Sequence, residues 1–465
     1  MPEERTLNGA TKKVAEFISG TRTDLIPPEA FAMAKKAFLD YLGVAIGGSV
    51  EKASNIMCLY VKSAGGKGES GIICQAHKTS AELAALANGT CGHALDFDDT
   101  IPASVHYNLH PSVGIIPAVI ALGEKYRLSG SEVLASYIVG LEVQYRLGLA
   151  MGQHIAPSGW HSTGILGSIG AAAAAANLLN LDAGQAQMAI GIDGSLTCGM
   201  VRNLDTMTKP MHAGNAARNG VISAELAKIG YGANPDTLDG HFSFCNMFSG
   251  YKSEELGDQA DNLGKQWDIV TRGLLFKPWP CCRATHGNIE AVLNIRDMAG
   301  MDVQQIASIE SKTHPIIPVF ASRHQPQNGY EGKFSIGYCM AVALKRGQVV
   351  LEDFTDEMVK DPECQALAAK CSYVHPEGWG VGTVDPKVEV TIRLENGREF
   401  SNLVELPKGE PENPLSDEEL LNKFRNCAGI VLKEDQVEHL YHAVMNMDGM
   451  DDVNELIGMT VAKQK

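Results

Sequence analysis

A polar segment from Cys91 to Ser112 separates two apolar runs of helical spacing, Glu82 to Ala87 and Val113 to Glu124. Pro102 and Pro111 prevent one helix from continuing through it. Its polar residues are carboxylates, a hydroxyl and imidazoles: Asp96, Asp98, Asp99, Thr100, His93, His106 and His110. We expect this segment to form one wall of an active site. The alternative is a surface loop of capping aspartates and solvated histidines.

Two further polar segments interrupt predicted helices in the same way. Residues 152–163 carry His161, and residues 201–220 carry Lys209 and His212. Lys209 stands before a proline, which predicts an extended turn rather than a helix interior. Cavities between packed helices are common ligand sites, so the three segments are expected to converge on one pocket.

Apolar residues at helical spacing predict most of the first 270 residues to be helical. The ranges are Thr11–Ser19, Pro28–Ile46, Ser80–Ala87 with a stop at Asn88-Gly89, Val113–Tyr126, Ser131–Leu149 with a Ser-Glu cap, and Ala183–Ser195. In the Ala-rich run from Gly164, small residues recur at Gly167 and Gly170. Their spacing is not that of a dinucleotide-binding loop, and we interpret them as sites of close helix packing.

The pattern changes after about Gly273. Alternating residues predict strands at Ile306–Ser311 and Val388–Leu394, and Asn396-Gly397 predicts a hairpin to Arg398–Leu403. Helical runs at 334–345 and 354–369 lie between them. A chain of 465 residues exceeds one hydrophobic core. We therefore predict a mainly α protein, with a large all-helical domain from residues 1–272 and 408–465 and a smaller α+β lid domain from 273–407.

Composition excludes several classes of protein. The net charge of −16 argues against a nucleic-acid or anionic-membrane partner, but leaves room for a small anionic substrate in a local basic pocket. No apolar run reaches the roughly 18 residues of a membrane span, and the N-terminus shows no secretion signal. The eleven cysteines form no disulfide or metal-binding framework, which favours reduced thiols, a cytoplasmic location and no metal.

Six motifs in fixed order carry a family resemblance. They are ALDFDDT with a following HPS, GWHST before the Ala-rich run, TKPMHAGNAARNG, KPWPCCRATH, YEGKFSIGYC and GEPENPL. Together they resemble the MmgE/PrpD family over nearly the whole chain. That family includes 2-methylcitrate dehydratases, cis-aconitate decarboxylases and iminodisuccinate epimerases. The resemblance implies an all-helical domain built from both chain ends, an α+β lid, a homodimer, and catalysis without metal, iron–sulfur cluster or organic cofactor.

The resemblance also implies site residues where the motifs match. They are Asp96, Thr100, His110, His161, Lys209 and Lys277. The chain departs from the family pattern in three places. Cys282 stands where cis-aconitate decarboxylases carry a histidine, and the chain lacks the FHSQT-like run of methylcitrate dehydratases. Arg323 and His324 stand near the position of an expected lid tyrosine.

The shared chemistry of these activities takes place at a carbon next to a carboxylate. Cations must hold a di- or trianion, and a histidine of near-neutral pKa must transfer a proton. We expect His161 to be the principal acid/base and Lys209 the principal partner of a substrate carboxylate. His110 and Asp96 complete the catalytic group. The expected substrate-binding residues are Thr100, Lys277, Arg283 and His212.

Three functions remain open on the sequence alone. The first is a cofactor-independent lyase, a dehydratase or decarboxylase, that acts on a small di- or tricarboxylate and resembles 2-methylcitrate dehydratase. The second is an epimerase of a substituted succinate, which uses the same proton abstraction without loss of a group. The third is a catalytically inactive binding protein on the same fold. The motif residues Lys209, His161, His110 and Lys277 argue against the third.

Overall fold

The structure, a computed structural model, describes residues 9–250, 256–315, 321, 325–377, 379 and 386–462. The chain divides into two compact units. The first contains residues 1–274 and 417–465, and the second contains residues 275–416. Arg323 and His324 lie outside the described residues.

The first unit is helical, with one short two-stranded ribbon, β1 Ser70–Gly71 and β2 Lys78–Thr79, paired antiparallel. Its helices from the N-terminal part of the chain are α1 Ala10–Gly20, α2 Pro28–Gly48, α3 Lys52–Ala64, α4 Ala81–His93, α5 Ser112–Tyr126, α6 Gly130–Ile155, α7 Ser162–Leu178, α8 Ala183–Leu196, α9 Thr208–Lys228, α10 Phe244–Phe248, α11 Leu256–Asp261 and α12 Asp268–Thr271.

Helix α7 lies at the centre of this unit, and nearly all of its residues are buried. It packs against α5, α6, α8 and α9. A Cβ at Gly114 on α5 would lie 3.2 Å from the Cα of Gly167. A side chain at Gly170 would meet Ile115 at 2.9 Å and Gln144 on α6 at 3.1 Å. The small residues of this run therefore permit close helix packing, as the sequence predicts.

The sequence predicts that α4 stops at Asn88-Gly89, but the helix continues to His93. Gly89 faces Gly214 of α9, and a Cβ at Gly89 would lie 2.7 Å from the Gly214 Cα. The Asn88 side chain donates to the Gly71 carbonyl and accepts from the Ile73 amide. Both residues thus serve packing inside the unit, and the prediction of a C-cap there is wrong.

The start and end of α6 also differ from the prediction. Ser129 and Glu132 form the N-terminal capping box, so the cap lies two residues before the predicted Ser131. The helix then runs on to Ile155, through the first residues of the polar segment at 152–163. Glycine and glutamine in that segment do not interrupt a helix whose preceding turns are buried.

The chain returns to the first unit through three C-terminal helices, α17 Asp417–Ala428, α18 Glu434–Met445 and α19 Asn454–Gly458. Helix α17 packs closely on α2, because a Cβ at Gly43 would lie 3.0 Å from the Phe424 ring. Lys423 on α17 reaches the interior: its Nζ lies 2.7 Å from Asp40 Oδ1 and donates to the Phe97 carbonyl at 2.7 Å. Helix α17 thus supports the loop that follows α4.

The second unit is a mixed four-stranded sheet with helices. The strands are β3 Ile306–Thr313, β4 Cys371–Val374, β5 Val388–Leu394 and β6 Glu399–Val404, in the order β4-β3-β5-β6. β3 is parallel to β4 and antiparallel to β5, and β5 pairs antiparallel with β6 through the predicted hairpin. The helices are α13 His286–Arg296, α14 Gly329–Gly332, α15 Ile336–Arg346 and α16 Pro362–Ala368.

Two boundaries in this unit differ from the sequence expectation. The predicted helix at 354–369 is reduced to the 3₁₀ turn Met358–Lys360 and α16, because Pro362 starts a new helix after Asp361 caps it. Residues 408–416 belong to the second unit rather than to the helical domain. The Lys408 amide donates to Glu290, and Glu410 pairs with Arg283, which holds this stretch in place.

No helix among the described residues is long and apolar enough to cross a membrane. All eleven cysteines are free thiols.

Candidate active site

The loop after α4 brings a carboxylate between two histidines. Asp98 lies beside His93, whose Nδ1 is 3.0 and 2.9 Å from its two oxygens. Asp98 Oδ2 also lies 3.0 Å from His110 Nδ1. All three side chains are buried. Burial alone would raise the pKa of Asp98, but the two neighbouring imidazoles hold it well below its usual range. Asp98 is therefore ionised; it is hydrogen-bonded to His93 and lies beside His110.

Asp96 lies two residues before Asp98 in the same loop. It forms a buried ion pair with Lys209 at the start of α9. Lys209 Nζ lies 2.7 Å from Asp96 Oδ1, and His110 Nε2 lies 3.6 Å from the same oxygen. Asp96 has a φ of 52°, in the left-handed region that aspartate tolerates better than most residues. This conformation occurs where the loop turns between His93 and Asp98.

The sequence predicts Lys209 in an extended turn, but the structure places it in the first turn of α9. Its amide donates to the Thr206 carbonyl at 3.0 Å. The following proline fits there because the first amides of a helix need no intrahelical partner. The start of α9 thus fixes the lysine, whose buried ammonium is balanced by Asp96.

His161 and His212 form a second pair. Their Nδ1 atoms lie 3.1 Å apart, so one of the two rings donates and the other accepts. His161 precedes the first residue of α7, and its amide donates to the Gly199 carbonyl at 2.9 Å. Gly199 has a φ of 151°, and a Cβ there would lie 3.3 Å from the His212 ring. This glycine therefore lets residues 199–201 pass close to both histidines.

Both of these histidines are neutral near pH 7. Burial, and then the charge of Lys209, lower the pKa of His161 well below its usual value. Burial, followed by His93 and Lys209, lowers the pKa of His212 to about 4. Burial also lowers the pKa of His93, although Asp98 opposes it. The imidazoles beside Lys209 thus act as neutral donors and acceptors.

The two groups converge into one constellation within the first unit. The His93 ring lies edge-on to His110 at 4.4 Å between centroids and stacks with His161 at 6.0 Å. The His110 amide donates to Thr163 Oγ1 at 3.2 Å, which ties the loop to the start of α7. Three polar segments therefore meet, as the sequence predicts, through His110, His161 and Lys209.

Asp99 and Thr100 have different roles in the same loop. Asp99 accepts from the amide and hydroxyl of Ser112 at the start of α5, so it caps that helix. Burial and the nearby Asp40 raise the pKa of Asp99 well above its usual range. Thr100 is fully buried, and its hydroxyl has no hydrogen-bond partner among the described residues. An unpaired buried hydroxyl is free to bind a substrate oxygen.

Four donor residues of this loop lie close enough to share a metal ion. One atom from each of His93, Asp96, Asp98 and His110 lies within 4.8 Å of the others. Imidazole and carboxylate donors suit zinc or a similar divalent ion. The Lys209 ammonium, however, already lies against Asp96 at 2.7 Å. A cation of the protein itself therefore balances this carboxylate.

The remaining predicted residues belong to the second unit. Lys277 is buried there. Arg283 pairs with the buried Glu410 of the same unit, so its charge is balanced within that unit. Cys282 is partly exposed, and its amide donates to the Lys333 carbonyl at 2.9 Å. A role for Lys277 and Arg283 in substrate binding stays a prediction.

Sequence reasoning missed the importance of His93 and Asp98. The motifs gave neither residue a role of its own, whereas the structure places the Asp98 carboxylate between two imidazoles. The available signal was the density of titratable residues: His93, Asp96, Asp98 and His110 occupy one short loop.

A cluster of a buried lysine, carboxylates and neutral imidazoles within a helical unit is typical of an enzyme that performs acid–base chemistry on a small anion. Comparison with known proteins identifies the family. The model of the MmgE/PrpD N-terminal domain matches residues 12–256, and that of the C-terminal domain matches residues 279–448. The chain belongs to the MmgE/PrpD family.

Three relatives illustrate the range of similar proteins. Cis-aconitate decarboxylase of Mus musculus is 27 % identical over 97 % of this chain and 93 % of its own length. Cis-aconitate decarboxylase of Aspergillus terreus is 28 % identical, over 97 % and 95 %. The mitochondrial 2-methylcitrate dehydratase of Yarrowia lipolytica is 24 % identical, over 97 % and 89 %. Decarboxylases and dehydratases are both lyases, and the chain is an enzyme of this type.

Proposed function

We propose that this enzyme is a lyase that breaks a C–C or C–O bond in a small di- or tricarboxylate by moving a proton at a carbon next to a carboxylate, without metal or organic cofactor. The observation that carries the proposal is the buried group around Lys209 and Asp96, with His110 at 3.6 Å from the same carboxylate oxygen. The named activities of the relatives, on cis-aconitate and 2-methylcitrate, support the same substrate class.

Both reactions need the same three elements. Decarboxylation breaks a C–C bond and leaves an electron pair on carbon, which an acid must protonate. Dehydration removes a proton from carbon and expels hydroxide, which an acid must also protonate. In either case charge builds up beside a carboxylate and must be stabilised by a cation in a dry site. Lys209 supplies that cation, and the hydroxyl of Thr100 supplies a hydrogen bond to a substrate oxygen.

We assign the proton transfer to His110 and a hydrogen-bonding role to His161. The sequence ranked these two histidines in the opposite order. His110 has the carboxylate partner Asp98 at 3.0 Å, an arrangement that can hold the ring in place for proton transfer. His161 pairs with His212, and burial lowers its pKa well below the usual value. A neutral imidazole there is suited to donate to a developing negative charge.

Epimerisation of a substituted succinate remains the second candidate, on the observation that Cys282 stands where decarboxylases of the family carry a histidine. An epimerase needs a proton removed from one face of a carbon and returned to the other. The cluster of His93, His110 and His161, with centroids 4.4 and 6.0 Å apart, offers more than one imidazole for this. The inactive protein is disfavoured because the buried charges have no structural use that apolar residues would not serve.

The test is a panel of polycarboxylates in deuterated water, run with and without EDTA. Cis-aconitate, 2-methylcitrate, citrate and substituted succinates are incubated with pure protein and followed by NMR. An alkene or a decarboxylated product that forms equally well with EDTA supports the lyase. Deuterium uptake with an unchanged carbon skeleton would establish the epimerase instead. Loss of turnover with EDTA that zinc or iron restores would contradict metal independence.

The roles are tested by variants on the substrate so identified. His110→Asn and Lys209→Met are each expected to lower turnover by about 100-fold or more, the usual scale of a general acid/base or charge-stabilising group. The matched control is His106→Asn, in the same loop. His106 is exposed and has a φ of 59°, which asparagine also tolerates. Equal activity of His106→Asn and His110→Asn would contradict the assignment.

The location and assembly of the enzyme are also proposals. The eleven free thiols support a reducing compartment such as the cytoplasm. The homodimer rests on the family resemblance. Sedimentation of the pure protein at twice the chain mass of 49.8 kDa would support it, and a monomer at the concentration of the activity assay would contradict it.

A further inference from the structure

Asp98 lies within about 3 Å of a ring nitrogen of each of two histidines. His93 Nδ1 lies 3.0 and 2.9 Å from its two oxygens, and His110 Nδ1 lies 3.0 Å from Oδ2. An ionised carboxylate only accepts hydrogen bonds. The hydrogen bond therefore places a proton on Nδ1 of His93, and the 3.0 Å distance favours a proton on Nδ1 of His110 as well.

The contact determines which nitrogen of His110 is available for chemistry. With Nδ1 protonated and held by Asp98, the other nitrogen, Nε2, gains and loses the proton. Nε2 is also the nitrogen that lies 3.6 Å from Asp96 Oδ1, beside Lys209. Without Asp98, the neutral ring could adopt the opposite tautomer, with a proton already on Nε2. It could then no longer accept one from a substrate.

His93 holds the carboxylate in the orientation that this requires. It is fully buried, contacts both Asp98 oxygens, and lies edge-on to the His110 ring at 4.4 Å. It also ends α4, where Gly89 packs against α9, so its backbone is fixed by the core. A carboxylate contacted on both oxygens from one side cannot rotate away from His110.

We propose that Asp98 and His93 are positioning residues for His110: Asp98 sets the tautomer of the His110 ring, and His93 fixes the Asp98 carboxylate. This inference rests on the proposed function in assigning the proton transfer to His110. Neither residue needs to touch the substrate for it to hold. The competing explanation is that Asp98 only braces the loop.

Asp99 provides a matched comparison in the same loop. It is the neighbouring aspartate and equally buried, but its partners are the amide and hydroxyl of Ser112 rather than imidazoles. In Asp99→Asn the amide oxygen can still accept from the Ser112 amide, and the NH2 group can donate to the Ser112 hydroxyl. Asp99→Asn therefore makes the same chemical change at the neighbouring position of the loop as Asp98→Asn, away from the contact with His110.

The first experiment is a double-mutant cycle with the substrate identified above. Asp98→Asn is expected to lower kcat by about 100-fold or more with KM changed by less than about threefold. In a His110→Asn background, the same change should lower kcat by less than about threefold, because residues that act as one unit are not additive. His93→Gln is expected to lower kcat by about 10–100-fold, the usual effect of such outer partners. Asp99→Asn should change kcat by the same factor in the native protein and in the His110→Asn variant.

The outcomes separate positioning from bracing. A full 100-fold loss from Asp98→Asn in the His110→Asn background as well would overturn the inference. An equal rise in KM and loss of folded protein for Asp98→Asn and Asp99→Asn would do the same, since both would then act on the loop. His93→Gln, which leaves the carboxylate in place, keeps the test valid if Asp98→Asn folds poorly.

A second experiment does not depend on activity. The ring nitrogens of His110 are observed by NMR of protein labelled with ¹⁵N-histidine, and assigned by their absence from the His110→Asn spectrum. The inference expects Nδ1 of His110 to carry the proton in the native protein and in Asp99→Asn, and this preference to be lost in Asp98→Asn. An unchanged tautomer in Asp98→Asn overturns the inference even if the lyase is confirmed. The expected change supports it even if no polycarboxylate is turned over.

Discussion

Two neighbouring aspartates in one loop differ in charge because their partners differ. Asp98 lies between two imidazoles, which hold its pKa well below the usual range against the effect of burial. Asp99 lies near Asp40, and burial and that carboxylate raise its pKa well above the usual range. One serves as an anion and the other as a helix cap. At the scale of single residues, the site depends on which groups touch, and not on residue type alone.

The first prediction concerns pH and His212. Its pKa is about 4 in the folded state, so below the usual 6.5 the unfolded chain binds a proton that the folded protein does not. This histidine therefore removes stability as pH falls from about 6.5 to 4. His212→Asn lacks the effect, so the stability of the native protein relative to this variant should decrease over that range. The slope is at most about 1.4 kcal/mol per pH unit.

The measurement is denaturant unfolding of both proteins at several pH values between 7 and 4. Two parallel stability curves would show that His212 titrates normally in the folded protein.

The sequence predicted the residue types of the site better than their partners. Asp96, His110, His161 and Lys209 are brought together as expected, because motifs on three segments pointed to one pocket. The Asp98 contacts with His93 and His110 were not predictable, since two adjacent aspartates look alike until the loop conformation is known. The left-handed φ of Asp96 decides that conformation, and no residue pattern signals it.

At the scale of elements, the helices meet through glycine rather than through large side chains. Gly89 on α4 faces Gly214 on α9, and Gly167 on α7 faces Gly114 on α5. These contacts bring α4, which ends at His93, close to α9, which begins beside Lys209. The glycines therefore determine how closely the end of α4 at His93 can approach the start of α9 at Lys209.

The second prediction tests this contact with Gly89→Ala. The added Cβ would lie 2.7 Å from the Gly214 Cα, so the two helices must separate. We expect a loss of about 1–3 kcal/mol in the free energy of unfolding, as for other overpacked cores. Gly20→Ala is the matched control, because no atom lies within 4 Å of a Cβ there. In denaturant titrations, Gly20→Ala should be neutral or stabilising; equal behaviour of both variants would contradict the packing argument.

Helix ends were harder to predict than helix interiors, because a glycine that packs against a neighbouring helix looks in the sequence like a helix stop. Apolar spacing located α1, α2, α5 and α8 within about two residues, because it reports the buried face. It placed a stop at Gly89, since glycine commonly ends helices. In this fold the missing side chain serves a neighbouring helix, which only the three-dimensional packing reveals.

At the scale of the whole molecule, the C-terminal helix α17 supports the loop that follows α4 near the start of the chain. Lys423 pairs with the buried Asp40 and donates to the Phe97 carbonyl, between Asp96 and Asp98. Its Nζ also lies 4.0 Å from the centre of the Phe97 ring. Residues from both parts of the first unit thus support the site, and in the sequence the second unit lies between these two parts.

The third prediction concerns this closure. Lys423→Met leaves Asp40 buried without its cation, which costs about 3–5 kcal/mol when one partner of a buried pair is removed. We expect a lower midpoint of thermal unfolding and a reduced kcat, because the loop loses its support. Arg425→Ala on the same helix is the control, since its pair with Glu438 is largely exposed and such pairs contribute about 1 kcal/mol or less. A Lys423→Met enzyme with native turnover would show that the loop is held by other contacts.

The position of Lys423 also has a consequence for synthesis of the protein. Lys423 and Phe97 are separated by 326 residues, which a ribosome adds in roughly 15–65 s at ordinary rates. During that time the loop after α4 lacks its hydrogen bond from Lys423, and the Asp40 carboxylate lacks its cationic partner. The enzyme therefore becomes competent only after nearly the entire chain has been translated, and chains released early would carry every catalytic residue without an assembled site.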